Sequence, residues 1–324
     1  MIYKEYYTTL ENVNTYLDEY GVAVIPNILT EAECVQYRNS IWSELKYITR
    51  DKFNVDDPTT WNEFYNLYPL HSMLLQHYSV GHLQPIWDIR QHPNITRSFE
   101  TIWNTPKEDL LVSFDGLSAH LPPEITRRGW YHNNNWFHTD QSYKKTSKCC
   151  IQGFVNLYPV NDGDASLSIL EKSHNYHAYF NERRQPDCEY NNDWYKLNND
   201  EIQFYMDRGC YKYAVKAGVG SLVLWDSRTI HQGKEPEKTR GNPNFRMVVY
   251  VCMLPRATSN EKALQKKQKA FNELRTTNHW ANNPKLFPKL PRTYGGDRYH
   301  SLLDILPIHP PILSDIGRRL AGFN

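Results

Sequence analysis

The run Trp136-Phe137-His138-Thr139-Asp140 sets an imidazole and a carboxylate one residue apart, among aromatic and β-branched neighbours. Such neighbours favour an extended strand, and side chains along a strand alternate faces with period 2. His138 and Asp140 therefore project from one side, close enough to occupy two positions on a metal ion. A three-ligand face needs one more residue, and the best source is Trp225-Asp226-Ser227-Arg228-Thr229-Ile230-His231-Gln232-Gly233. Two imidazoles and one carboxylate on one face, with the opposite positions open, is the ligand set of non-haem Fe(II) sites. Alone, a His-x-Asp tripeptide is a weak sign, because most are surface polar residues.

A fourth residue strengthens the pattern. Arg246 interrupts the apolar strand Phe245-Arg246-Met247-Val248-Val249-Tyr250. A buried guanidinium is costly unless acceptors meet it, and its planar fork suits a two-pronged grip on a carboxylate. The segment Gln232 to Asn244, with Gly233, Gly241 and Pro243, reads as a loop that returns the chain to this strand.

These residues need a framework. Gly21 to Pro26 reads as a short strand, and Thr30 with Glu33 forms a capping box that opens a helix. Val35, Ile41, Trp42, Leu45 and Ile48 recur at helical spacing and form its buried stripe. Residues 51–104 read as broken helix, and His71, His77, His82 and His92 there lack a ligand partner at i+2 or i+4, so they are expected to be structural. Strand-like runs follow at Leu110 to Gly116, Asn135 to Gln141, Lys148 to Val160, Ala165 to Leu170, Tyr211 to Lys216, Ser221 to Trp225 and Phe245 to Leu254. Many short strands with helices at both ends predict an α+β, mainly β chain whose core is a β-sandwich or a jelly roll. The division expected is a single domain over 1–274: a helical buttress 27–104, a β core 105–255 with an insertion 175–208 that ends in a short helix, and a helix 259–274. A proline-rich extension, 275–324, packs on it.

Composition narrows the function. Hydrophobic residues are 40% and charged ones 23%, enough to bury a sizeable core in a soluble protein. The net charge of +1 supplies no basic field for nucleic acid or anionic membrane. No run of 18 apolar residues and no basic-then-apolar N-terminus occurs, so neither a membrane span nor a secretory leader is expected. The 6 cysteines form no Cys-x-x-Cys pair, which points to a reducing, cytoplasmic setting. Gly218-x-Gly220 lacks the third glycine of a dinucleotide fingerprint, and no Walker loop, nucleophile elbow or His-Glu-x-x-His is present.

The ordered set resembles the phytanoyl-CoA dioxygenase family of Fe(II)- and 2-oxoglutarate-dependent oxygenases. The likeness rests on His138-x-Asp140, on Gly220 to His231, and on Arg246. It also takes in Gly21 to Pro26 and Leu167-Ser168-Ile169-Leu170-Glu171-Lys172-Ser173-His174. Together these span most of residues 20–255, and the tail from about 275 carries no usable likeness. The resemblance implies a double-stranded β-helix core, Fe(II) on His138, Asp140 and His231, and the distal carboxylate of 2-oxoglutarate on Arg246. It implies O2 as the oxidant, with decarboxylation of the cosubstrate to succinate and CO2 and hydroxylation of a small-molecule substrate. Asp140 favours hydroxylation, because halogenating relatives carry a small residue there.

One position departs from the pattern. The residue two after the arginine is often a hydroxyl donor to the cosubstrate, and here it is Val248. Asn156 and Gln152, on one face of the strand after the metal strand, are the expected substitutes. Trp136, Asp115, Trp225 and His174 are expected substrate contacts, each with an ordinary alternative as a core aromatic or a turn residue. Two other functions fit the residues: a non-catalytic jelly-roll binding protein with a vestigial metal pocket, and a cupin-like Zn or Mn enzyme without a cosubstrate.

Overall fold

The central strands are apolar on both faces, and the computed structural model shows why; it describes residues 1–67, 73–190, 192–290 and 305–324. Among these, the strands in chain order are β1 (Ile2–Glu5), β2 (Val22–Ile25), β3 (Leu74–Leu75), β4 (Leu110–Val112), β5 (Leu117–His120), β6 (His138–Thr139) and β7 (Ile151–Asn156). They continue with β8 (Ser166–Leu170), β9 (Tyr195–Lys196), β10 (Lys212–Lys216), β11 (Leu222–Asp226), β12 (His231–Lys234), β13 (Arg246–Tyr250) and β14 (Met253–Pro255). One sheet has the order β1-β10-β8-β12-β6-β9 and the other β2-β11-β7-β13-β5-β3, while β4 and β14 pair apart. Only the β1–β10 ladder is parallel; the rest are antiparallel. The result is a jelly-roll, double-stranded β-helix core flanked by helices.

Alternation along each strand divides the core in two. Val22, Val24, Phe154, Val223, Trp225 and Val248 point between the sheets, with Leu167, Ile169 and Val215 from the other side. Ala23, Ile25, Ile151, Val155, Leu222, Leu224, Met247 and Val249 point outward and pack under the helices. The second sheet is thus covered on both faces, which is why its strands lack polar alternation.

The helical cover includes Glu31–Ile48, Gln84–Arg90 and Pro93–Trp103. The first begins with the complete capping box: Glu33 N donates to Thr30 Oγ1 at 3.2 Å, and Thr30 N donates to Glu33 Oε2 at 2.8 Å. Ile41, Trp42, Leu45 and Ile48 are buried as the periodicity predicts, with Cys34 rather than Val35 completing the stripe. Within 175–208 lie helices His177–Arg184 and Asn199–Met206, and β9 joins the edge of the first sheet beside β6. The last described stretch ends in helix Asp315–Leu320, tied back through Arg256 Nη2 to Arg319 O at 2.7 Å. Among the described residues no helix is long and apolar enough to cross a membrane.

Several strand boundaries differ from the sequence reading. The run 110–116 is not one strand: β4 ends at Val112, and an unpredicted β5 follows at Leu117–His120. Ser, Ala and His are weak strand formers, so packing between β13 and β3 makes β5 rather than propensity. His231 to Lys234 is strand β12 where a loop was expected from Gln232, and β1 was not foreseen. The run 135–141 narrows to the two residues of β6, and 245–254 breaks into β13 and β14. His77 and His82 bond to backbone carbonyls and His92 to Glu33, as structural histidines do; His71 lies outside the described residues.

Candidate metal and cosubstrate site

β12 brings the distant histidines together. His231 is the direct cross-strand partner of His138, and such partners share a face. Their ring centroids are 4.4 Å apart. Asp140, two residues past His138, turns its carboxylate between them: Oδ2 lies 3.2 Å from His231 Nε2 and 3.8 Å from His138 Nε2. The three ligand atoms all fall within 4.8 Å of one another, a spacing suited to one metal ion.

Backbone bonds fix which ring nitrogen faces that point. His138 Nδ1 donates to Trp136 O at 3.0 Å, and His231 Nδ1 donates to Thr229 O at 2.9 Å. Both Nε2 lone pairs are thereby left for a metal, the usual outer-shell arrangement for ligating histidines. Burial, aided by nearby His231, pushes the His138 pKa down to about 4, so the ring is neutral at pH 7. Burial opposes ionisation of Asp140, but the imidazoles of His279, His138 and His231 outweigh it and hold the carboxyl far below its usual range. Gln152 Nε2 donates to Asp140 Oδ2 at 3.0 Å and fixes that carboxylate. The donor set fits a divalent transition metal.

Arg246 rises from β13 on the facing sheet, buried, with its guanidinium 5.5 Å from the Phe154 ring. Phe154 is 5.5 Å from Trp225, which is 5.4 Å from His231, so an aromatic row links the guanidinium to the histidines. Among the described residues no carboxylate pairs with Arg246, and its Nε has no hydrogen-bond partner. Nη1 donates to Ser118 Oγ at 2.5 Å, and the Tyr250 hydroxyl lies alongside. A buried cation furnished with hydroxyls but no counter-charge fits an anionic ligand.

The other expected contacts divide. Asn156 lines the same crevice as Arg246 and keeps Oδ1 unpartnered. Gln152 instead serves Asp140, because side chains two turns of the pleat apart on β7 reach different ends of the barrel. Trp136 stacks on His138 at 4.9 Å, and its Nε1 donates to Gly233 O at 3.0 Å. Trp225 is buried beside His231, and Asp115 is buried near Asp140. His174 is placed elsewhere: its Nε2 bonds to Asp18 O at 3.0 Å, a structural pin rather than a wall of the site. Ser118, Tyr250 and His279 were not foreseen. Tyr250 was within reach, since it shares a strand face with Arg246 by period, whereas Ser118 needed the unpredicted β5 and nothing in the sequence marks His279.

The sequence profile of the phytanoyl-CoA dioxygenase family matches residues 17–240, which contain all three metal-type residues. The chain belongs to this family. Membership brings the family's cofactor set, Fe(II) with 2-oxoglutarate and O2, and makes the protein an enzyme of the Fe(II)/2-oxoglutarate oxygenase type. The Ava biosynthesis cluster protein O of Aspergillus versicolor is 27% identical over 282 residues, covering 84% of this chain and 88% of that one. A Dictyostelium discoideum protein bearing the family's name is 21% identical over 318 residues, covering 86% and 84%. In fold, the chain is similar to the crystal structure of hypothetical protein JW0805 from Escherichia coli: TM-score 0.61 at 12% identity, covering 100% of this chain and 86% of that one.

Proposed function

We propose that this protein hydroxylates a small organic molecule, with Fe(II) on His138, Asp140 and His231 and the distal carboxylate of 2-oxoglutarate on Arg246. The observation that carries the reading is the convergence, inside one barrel, of three metal-type ligands and a buried arginine that has no counter-ion among the described residues. A relative named for a biosynthesis cluster supports a small biosynthetic molecule as substrate.

The iron, with 2-oxoglutarate and O2, supplies the oxidising power. The chain's own share is positioning. The carbonyls of Trp136 and Thr229 hold the imidazoles, and Gln152 holds the carboxylate. Ser118 and Tyr250 orient the guanidinium for an incoming carboxylate. Phe154 and Trp225 form an apolar wall along the path between the two ends. Domain division follows the same reading: one catalytic unit with its core over 1–274, to which the start of the 275–324 extension adds His279.

The test is anaerobic titration of purified apoprotein with Fe(II) and 2-oxoglutarate, followed by air. A weak visible charge-transfer band and then succinate formation are expected. Protein that gives neither sinks the assignment, and a binder without catalysis gives no succinate.

A further inference from the structure

The segment between β4 and β5 carries Asp115, and it is held with unusual expenditure of buried charge. Arg90 is fully buried and donates Nη1 to Gly81 O at 2.5 Å and Nη2 to Asp115 O. Lys267, also buried, donates to Val112 O. Neither cation has a carboxylate within ion-pair distance among the described residues, and burying charge this way is costly. Both are used to fix the backbone on which Asp115 sits.

A second segment is fastened alongside. Phe114 N donates to Thr277 Oγ1 at 3.1 Å, and Thr277 N donates to Phe114 O at 3.0 Å. This carries His279 to the site, where its ring bears on Asp140, His138 and Asp115. His279 Nε2 is buried and has no hydrogen-bond partner. One oxygen of Asp115 accepts from Ser113 Oγ at 2.7 Å, and the other takes no hydrogen bond among the described residues. Ser113 N donates to Cys252 O at 2.8 Å and Val251 N donates to Gly153 O at 2.8 Å, so the Asp115 segment runs beside the strand stretch that carries Gln152, the partner of Asp140. Asp115 is near enough to Asp140 and to Tyr250 to interact with each electrostatically.

Apolar surface lies at the same place. Trp136 is 41% exposed and stacks on His138, and Trp194 is 50% exposed with its ring 5.8 Å from His138. Two exposed indoles against one metal-type ligand form a platform for a flat apolar body. A group that donates to a carboxylate and accepts from an imidazole N–H satisfies both polar residues. An ammonium would satisfy Asp115 alone and would set a cation beside the metal.

We propose that Asp115 and His279 clamp a hydroxyl group of the substrate, whose aromatic or other flat apolar body lies on Trp136 and Trp194. The inference rests on the iron-and-cosubstrate reading of the neighbouring residues. It is tested by calorimetric titration of the protein, loaded anaerobically with Fe(II) and 2-oxoglutarate, with 2-naphthol and with its methyl ether, 2-methoxynaphthalene. The naphthol is expected to bind at least about tenfold more tightly, the scale of one lost polar partner. Asp115→Ala and His279→Ala are expected to bring the two affinities together while the visible band still forms. His279→Gln, which keeps a donor, is expected to restore the preference, and Trp136→Ala to weaken both probes alike. Equal affinity for the two probes, binding of neither, or a preference that survives both alanine variants overturns the clamp. Loss of the band in wild-type protein is a different failure: it removes the metal reading and the clamp with it.

Discussion

Ser118 stands directly across the ladder from Val248, and its hydroxyl accepts the Nη1 proton of Arg246 at 2.5 Å. The hydroxyl that the family pattern leads one to expect two residues after the arginine is thus supplied from the neighbouring strand. Cross-strand partners share a face, so a side chain on β5 reaches the same point as one at 248. A charge-assisted bond of this kind contributes roughly 1.5–3 kcal/mol. Ser118→Ala is therefore expected to raise the KM for 2-oxoglutarate about tenfold or more, with the metal band unchanged at saturating cosubstrate. Adding Val248→Ser should recover part of the loss in steady-state succinate assays.

Gln152 touches Asp140, not Arg246, and the two effects are separable. Removing an outer partner of a ligand commonly weakens metal affinity by about 10–100-fold. Gln152→Ala should do so, measured by competitive chelation, with little change in affinity for 2-oxoglutarate once iron is saturating. His231→Ala should abolish stoichiometric iron binding, and Asp140→Ala should weaken it and abolish hydroxylation.

Gly21 lies far from the metal in sequence but touches the chain of bonds behind His231. Its φ is +78°, and a Cβ there would come within 2.4 Å of Thr229 Oγ1 and 2.6 Å of His174 Nδ1. Thr229 donates to Gly21 O at 3.0 Å, and the carbonyl of Thr229 fixes the His231 ring. Gly21→Ala is expected to cost on the order of 1–3 kcal/mol, read as a lowered Tm, and to weaken iron binding as well. Unchanged metal affinity in a folded variant would count against the coupling.

Three buried histidines set an acid limit. Burial pushes His82 and His120 down to about 3 and His177 to about 4, from an ordinary value of 6.5. Arg90 and Lys267 reinforce this at His82, and Arg246 and Arg240 at His120. The unfolded chain takes up these protons near pH 6.5, before the folded one does, so their contribution is complete above that pH and is lost as pH falls toward 3–4. At about 1.4 kcal/mol per proton per pH unit, the slope near pH 5 is up to about 4 kcal/mol per unit. Urea unfolding between pH 4.5 and 7.5 should show this decline, and a folded His82→Gln variant should show a shallower one.

The sequence by itself determined the ligand pair and much of the scaffold. The two-residue spacing put His138 and Asp140 on one side of the chain, because extended backbone alternates locally, although the strand itself ends at Thr139. Thr30 with Glu33 marked the start of the long helix for the same reason: a capping box needs only neighbours in sequence. The apolar strands announced a buried sheet, and the ordered motifs announced the family.

Tertiary structure decided how these pieces meet. Register between distant strands put His231 opposite His138 and Ser118 opposite Val248, and register is fixed by which faces are buried across the whole barrel, not by any one segment. β5 and β12 are strands because their neighbours supply the ladder, so propensity could not reveal them. His279 arrives through two hydrogen bonds at Thr277, one to its backbone and one to its hydroxyl, and His174 is withdrawn by one to Asp18 O. Long-range contacts of this kind leave no periodic trace in the residues that make them, and only the folded chain brings them into view.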